Sequence, residues 1–503
     1  MRIALIQMKA NDIKDYEKCA EHILKMINYA AEKKPDMVLL PECAYPGYII
    51  DDKESLKKAL EKEESFLEKL KSAAKEKKTY ISLGIVTEEE GKTENSAVVI
   101  NKEGNIVHKH VKSNMWHCDS DFYVSSDKYD VFETEFGKIG VIICADGRMP
   151  EISAILAEKG AELIINLANL TSSGFDEKNL HNPQTDYILP ARCAENNVYM
   201  AVCCKTGVEK NILNNAGESC IISPNGEILA SLGSGKEEIL VYDIDLSHKK
   251  INAAKNENYK IISEKTENLP VIDFIKNGFK LKPEFVSTVS FKAKNLEEYI
   301  TKAHKYISLA RMSYSKFIVL PQTEFECDGK IITEKIGKFL QNNEIAIVSS
   351  YYMEKNEYAV MVSKEGIEGI WTKGKYICAE TSFGKVGVVF SEDITVPEPI
   401  RVYMLEGCSL VVAYGSERGD VKDLILKTRA AENRIYIINS ANKNIMSSGM
   451  ISPDGNFVFS TMKNNEQISS GYLHPYLASF KEVVPKTDVV FGRKPESYET
   501  ILK

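Results

Sequence analysis

Residues Gly140–Glu151 read GVIICADGRMPE, and residues Gly387–Glu398 read GVVFSEDITVPE. Gly, Val, Asp, Pro and Glu recur at matching places, while Ser391 stands where the first stretch has Cys144. Each stretch is an apolar run with strand character, a short turn, and a helix start marked by Pro. A chain that builds this unit twice and changes the one nucleophilic atom in it poses a question about both copies.

The repeat extends outward in both directions. FGKIGVIICADGRMPE from Phe136 matches FGKVGVVFSEDITVPE from Phe383. Downstream, RCAENNVYM from Arg192 matches RAAENRIYI from Arg429, and IISPNGEI from Ile221 matches MISPDGNF from Met450. Upstream, MVLLPE ending at Glu42 matches FIVLPQ ending at Gln322, and NKEG from Asn101 matches SKEG from Ser363. Matches in one order along the chain indicate an internal duplication. Two domains follow, 1–280 and 284–503, with a joint near NGFKLKPE at 277–284, where Gly and Pro break regular structure. The second copy is shorter: the charged helical pattern at 54–78 shrinks to something like TEKIGKFLQNN.

Size and composition fit this division. At 503 residues the chain is long for one core. It is 44% hydrophobic and 27% charged, ordinary for a globular protein. A net charge of -8 argues against a nucleic-acid partner, since no basic excess is available for phosphates. The opening MRIALIQMKAND starts a strand directly, with no secretory leader pattern, and no apolar run approaches the length of a membrane span. The 11 scattered cysteines suit a reducing cytoplasm better than a disulfide framework. The expectation is therefore a cytoplasmic protein with no membrane partner.

Apolar β-rich runs alternate with amphipathic helical patterns in each copy. RIALIQM, MVLLPE, YISLGIV, SAVVIN, IGVIIC, AELIINLA, VYMAVCC and SCIISP read as strands; YEKCAEHILKMINYAAEKK and PEISAILAEKG read as helices. Hairpin-like turns imply antiparallel neighbours in a mixed sheet, and helix-flanked runs imply buried sheet faces. The fold class is a layered α/β sandwich in each copy.

Cys144 ends the strand KIGVIIC and precedes a turn and a helix opening at Pro150. This strand–turn–helix placement is of the nucleophile-elbow kind, and proximity to a helix N-terminus favours the thiolate. A thiol that does acyl chemistry needs a base and an oxyanion donor. Glu42 ends the apolar strand DMVLL just after Pro41 and is a candidate base. Lys109 in VHKHVK follows another strand, with Lys112 a rival three residues on. His117–Cys118 lacks a second close pair, which argues against zinc. Cys203 and Cys204 lie on an apolar strand and read as core; Arg192 and Glu195 read as helix-end or dimer-type contacts.

Taken together, LLPECAYPGY, HKHVK, GVIICADGRMPE and ARCAENNVYM resemble the carbon–nitrogen hydrolase (nitrilase) superfamily. The resemblance implies two tandem α-β-β-α sandwiches forming an intramolecular pseudo-dimer, with room for a further homo-oligomer. It places the base on Glu42, the lysine on Lys109 and the nucleophile on Cys144, with Asp119 of DSDFY where the family has a second glutamate. No metal or organic cofactor is implied. Arg148 and Asn169 are similar in placement to residues that hold a substrate carboxylate in the N-carbamoyl amino acid amidohydrolase branch. The expected substrate is a small polar or carboxylated amide or N-carbamoyl compound, with a small nitrile as the alternative and a non-catalytic scaffold as the rival of another class. In the second copy Gln322 replaces the base, Ser391 replaces the thiol, and Lys373 matches the lysine only with a shift, so catalysis there is lost while the fold is kept.

Overall fold

The computed structural model describes residues 1–172, 180–246, 257–323, 325, 327, 329–348, 352–353, 356–415, 419–440, 448–463 and 465–502. The strand Arg2–Gln7 shows how the layers arise. Its alternate residues Ile3 and Leu5 join a core shared with Val141, Ile143, Ile165 and Val202 of the facing sheet. The intervening Ala4 and Ile6 join Ile23 and Ile27 of the helix Tyr16–Ala31 and Phe66 and Leu70 of the helix Lys53–Lys77. Both faces are buried, so the strand reads as a continuous apolar run. The long helix is fixed at its start by the Asp52 carboxylate, which accepts from the amides of Glu54 and Ser55, and it ends at Lys78 in the left-handed conformation (φ 54°).

The first half contains two six-stranded sheets. One runs Glu238–Asp243, Arg2–Gln7, Met37–Tyr45, Tyr80–Glu89, Lys92–Ile100, Ile106–Val111; the other runs Ile228–Ser231, Cys220–Ile222, Tyr199–Cys204, Leu163–Ala168, Gly137–Ile143, Val131–Thr134. Three central strands of each are parallel and the flanking strands antiparallel. Helices Pro150–Glu158 and Leu189–Asn196 follow strands of the second sheet. The second half repeats the plan. Glu284–Ser290, Phe317–Val319 and Ile345–Val348 form the parallel centre of one sheet, and Gly384–Phe390, Cys408–Tyr414 and Tyr436–Ser440 that of the other. The tandem α-β-β-α expectation is borne out. The shortening of the second copy is visible as the nine-residue helix Gly329–Gly337 in place of the 25 residues of Lys53–Lys77.

The halves meet through helices that each sequence repeat carries. Arg192 pairs with Glu195 in its own helix at 2.7 Å and with Glu432 across the interface at 2.5 Å. Arg429 pairs with Glu432 at 2.9 Å and with Glu195 at 2.6 Å. All four side chains are buried, and the two arginines and two glutamates occupy equivalent positions of the repeats. The pattern is the reciprocal one of an isologous interface, built within one chain. The repetition reaches the backbone: Arg192 also donates to the carbonyls of Gly147 and Arg148, and Arg429 to those of Ile394 and Thr395. Buried charges paired this fully avoid the cost of an isolated desolvated ion.

Each half also sends its C-terminal segment to the other. In the first half Asn258 donates to the Gly374 carbonyl and the Tyr259 hydroxyl lies 3.3 Å from that of Tyr376. In the second, the hairpin Glu482–Val484/Thr487–Asp488 and the tail beyond it reach residues 115–127 of the first half.

Candidate active site

Glu42 and Cys144 lie on facing sheets, Glu42 late in one strand and Cys144 just past the end of the strand Gly137–Ile143, toward the C-terminal edge where open α/β sheets place ligand chemistry. Glu42 lies within the strand Met37–Tyr45, where the pairing with Tyr80–Glu89 slips between Leu40 and Tyr45. Cys43 beside it has φ 42°, outside the usual range for a side-chain-bearing residue. This bulge needs Gly84 on the adjoining strand: a Cβ there would sit 2.3 Å from the Pro41 carbonyl oxygen and 2.6 Å from the Glu42 Cα. Cys144 heads a 3-10 helix, Cys144–Arg148, with φ 47°. The elbow is held by Asp146. One of its oxygens accepts from the amide of Ile143 and lies 2.9 Å from His110 Nε2; the other accepts from the amides of Ser113 and Asn114. Asn166 Oδ1 accepts from the Cys144 amide at 2.8 Å.

The lysine in this site is Lys112, which corrects the assignment to Lys109. Lys112 Nζ is buried and donates to Glu42 Oε1 at 2.6 Å and to Asp119 Oδ2 at 2.7 Å. Lys109 points the other way and pairs with Glu89 at 2.9 Å and Glu94 at 2.7 Å near the surface. The reason is strand parity. The strand Ile106–Val111 puts His110 on its inner face, against Asp146, and Lys112 follows two residues later on the same side, whereas Lys109 belongs to the opposite face. Asp119, at the start of the short helix Asp119–Phe122, reaches Lys112 despite its shorter side chain; its other oxygen accepts from the Tyr48 hydroxyl at 2.7 Å.

Electrostatics follow from burial. Desolvation alone would pull the Lys112 ammonium down, but Asp119 and Glu42 outweigh it and hold the group charged well above its ordinary range. Burial pushes the Cys144 thiol up, Glu42 adds to the rise, and Lys112 opposes it. Burial thus favours the neutral thiol, which needs a base to become the nucleophile. Glu42 Oε1 already accepts from Lys112 and from Asn95 Nδ2 at 2.7 Å, while Oε2 has no hydrogen-bond partner among the described residues.

Arg148 and Asn169 border Cys144. The Cys144 thiol lies 3.8 Å from the Asn169 carbonyl oxygen, and neither atom of the buried Asn169 side-chain amide has a hydrogen-bond partner among the described residues. Arg148 stacks over the Trp116 ring at 4.7 Å. Burial pulls its guanidinium down, Tyr187 and Cys144 oppose that pull, and it has no ion-pair partner among the described residues. Glu151, the neighbour that could have neutralised it, pairs instead with Arg401 at 2.7 Å. Sequence reasoning missed Asn95, Asp146, Tyr48 and Trp116; Asp146 alone carried a signal, as an acid recurring two residues past both Cys144 and Ser391.

In the second half Gln322 is half-buried and donates to Glu357 at 3.2 Å, and Lys373 is exposed. Ser391 heads the 3-10 helix Ser391–Ile394, the counterpart of the Cys144 elbow.

Two facing mixed sheets with a Glu–Lys pair and a cysteine at their shared edge define a class of cysteine hydrolases. The family model described as carbon-nitrogen hydrolase matches residues 2–250 and 340–479, and the chain belongs to that family. It is 30% identical over 261 residues to a nitrilase of Pyrococcus abyssi, covering 50% of this chain and 94% of that protein. It is also 30% identical over 259 residues to an omega-amidase of Xenopus tropicalis, covering 49% and 89%. Among solved structures, an amidase from Nesterenkonia sp. is similar with a TM-score of 0.44 at 22% identity, over 49% of this chain and 90% of that one. No helix among the described residues is long and apolar enough to cross a membrane.

Proposed function

We propose that residues 1–280 form a cysteine amidase domain acting on a small amide that also carries a carboxylate, and that residues 284–503 form its non-catalytic partner. Glu42 Oε2 takes the proton of the Cys144 thiol, and the sulfur attacks the amide carbon. An ammonium has three donors, and Lys112 uses two on Glu42 and Asp119, leaving one for the developing oxyanion. The C–N bond breaks, Glu42 returns the proton to the leaving nitrogen, and ammonia departs from a thioester on Cys144. Glu42 then takes a proton from water as its oxygen adds to the thioester carbon. The C–S bond breaks, the thiol is restored, and the acid is released.

The observation that carries the carboxylate is Arg148: a desolvated guanidinium beside the nucleophile, stacked on Trp116, with no acid of the described chain to neutralise it. Such a group recognises a carboxylate through charge-assisted hydrogen bonds. The omega-amidase name of several relatives supports the amide reading; the nitrilase name of another supports a nitrile, which the same three residues would attack. Ammonia release from succinamic acid, propionamide, N-carbamoyl-β-alanine and 3-cyanopropionic acid separates these. Succinamic acid is expected to be turned over fastest, and a preference for propionamide would remove Arg148 as the anchor.

A further inference from the structure

We propose that Thr487, in the C-terminal hairpin of the second half, is a positioning residue for the Lys112–Asp119 pair of the first. The inference rests on the Glu42–Lys112–Cys144 reading above. The Thr487 side chain is buried, and its hydroxyl accepts from the His117 amide at 2.7 Å and donates to the Met115 carbonyl at 3.2 Å. One hydroxyl from the second half thus closes both ends of the turn Met115–His117. His117 has φ 51°, a conformation that costs a non-glycine residue and persists where the surroundings enforce it. The residue between them, Trp116, donates its amide at 2.9 Å to Asp119 Oδ2, the same oxygen that Lys112 reaches at 2.7 Å. The Trp116 ring is the surface on which Arg148 lies. The turn pinned by Thr487 therefore sets where the Asp119 oxygen stands, and through it where the Lys112 ammonium stands relative to Cys144.

The same hairpin makes a second contact that serves as a control. Lys486 pairs with both oxygens of Asp121 at 2.6 Å, but this pair is about half exposed and reaches neither Asp119 nor Trp116. Solvent-exposed ion pairs of this kind contribute little. If the hairpin only glues the halves together, loss of Lys486 and loss of Thr487 act alike. If Thr487 positions the lysine, only its loss changes the reactivity of Cys144, because Lys112 favours the thiolate and a displaced Lys112 favours it less.

The test uses the full chain and iodoacetamide, itself a small amide, with alkylation of Cys144 followed by peptide mass analysis from pH 5 to 10. Thr487→Val is expected to slow alkylation about tenfold, the size of one or two lost hydrogen bonds. It is also expected to move the half-maximal pH upward, while Thr487→Ser restores wild-type behaviour and Lys486→Ala retains it. Should Thr487→Val not give folded protein, Thr487→Ala is read in the same way. An unchanged rate and half-maximal pH in the Thr487 variant, or equal slowing in Lys486→Ala without a pH shift, overturns the inference and leaves the catalytic reading standing. Wild-type protein with no preferential labelling of Cys144 overturns both.

Discussion

Glu42, within the bulged strand Met37–Tyr45, is bonded to a buried lysine and an asparagine, whereas Gln322, its counterpart in the second half, is half-buried and bonded to Glu357. A 3-10 helix after the strand recurs at Ser391, and the interface pairs of Arg192 and Glu195 recur as Arg429 and Glu432. The two copies share these interface pairs and differ at the residues proposed to do chemistry. On the proposed mechanism a neutral amide cannot take the nucleophile's proton, and the second half keeps its two sheets with Gln322 in that place.

The interface holds one instructive departure from symmetry. Glu151 pairs with Arg401, and although burial pushes its carboxyl up, Arg401 prevails and holds it below the ordinary range. Its repeat equivalent is Glu398, but the residue equivalent to Arg401 is Ala154. Glu398 is pushed up to about 7, chiefly by burial. Both carboxyls are buried; Glu151 is held down by its ion pair with Arg401, while at Glu398 burial prevails over the pull of Arg429.

The largest expected effect breaks the comparison at the nucleophile. Cys144→Ala is expected to lower kcat for succinamic acid by about 10⁴-fold or more with the fold intact by circular dichroism, while Ser391→Ala leaves kcat unchanged. Next, Lys112→Met is expected to lower kcat about 10²- to 10³-fold, as loss of an oxyanion donor does, while Lys109→Met changes little; steady-state kinetics on both variants decides which lysine acts. Arg148→Ala is expected to raise KM for succinamic acid about 10- to 150-fold and for propionamide far less, in line with about 1.5–3 kcal/mol for a charged hydrogen bond. Equal rises for both substrates would assign Arg148 a structural role.

The smallest effect sharpens the asymmetry between Glu151 and Glu398. The folded Glu398 carboxyl binds its proton more tightly than the unfolded one, whose ordinary value is about 4.3. Its protonated form therefore favours folding, and that contribution is lost as pH rises from there through about 7. Glu398→Gln is expected to raise Tm at pH 8 and to leave it unchanged near pH 4. A Tm shift equal at both pH values would contradict this.

Much of the fold was legible because both faces of the central strands are buried, so MVLL, GVII and LIINLA stand out as apolar runs bounded by turns. The duplication was legible because interface and turn residues were kept together with the strands. Cys144 was legible because it directly follows such a run, and Glu42 because it follows one after Pro41. The lysine was misplaced by three residues because a motif counts positions, whereas the strand counts faces: His110 and Lys112 share the inward face and Lys109 does not. Asn95, Tyr48 and Thr487 left no signal, since their hydrogen bonds reach across strands or between halves, contacts that no local pattern encodes.

The second half, on this account, is a fixed partner that buries the first half's charged helix face and holds its Met115–Asp119 turn. Expression of residues 1–280 alone, with solution mass and succinamic acid turnover measured against the full chain, tests that most directly. The fragment loses Arg401 opposite Glu151, Glu432 opposite Arg192, and the Thr487 hairpin. It is expected to be insoluble, self-associated or inactive; a soluble monomer with full-length turnover would contradict the account.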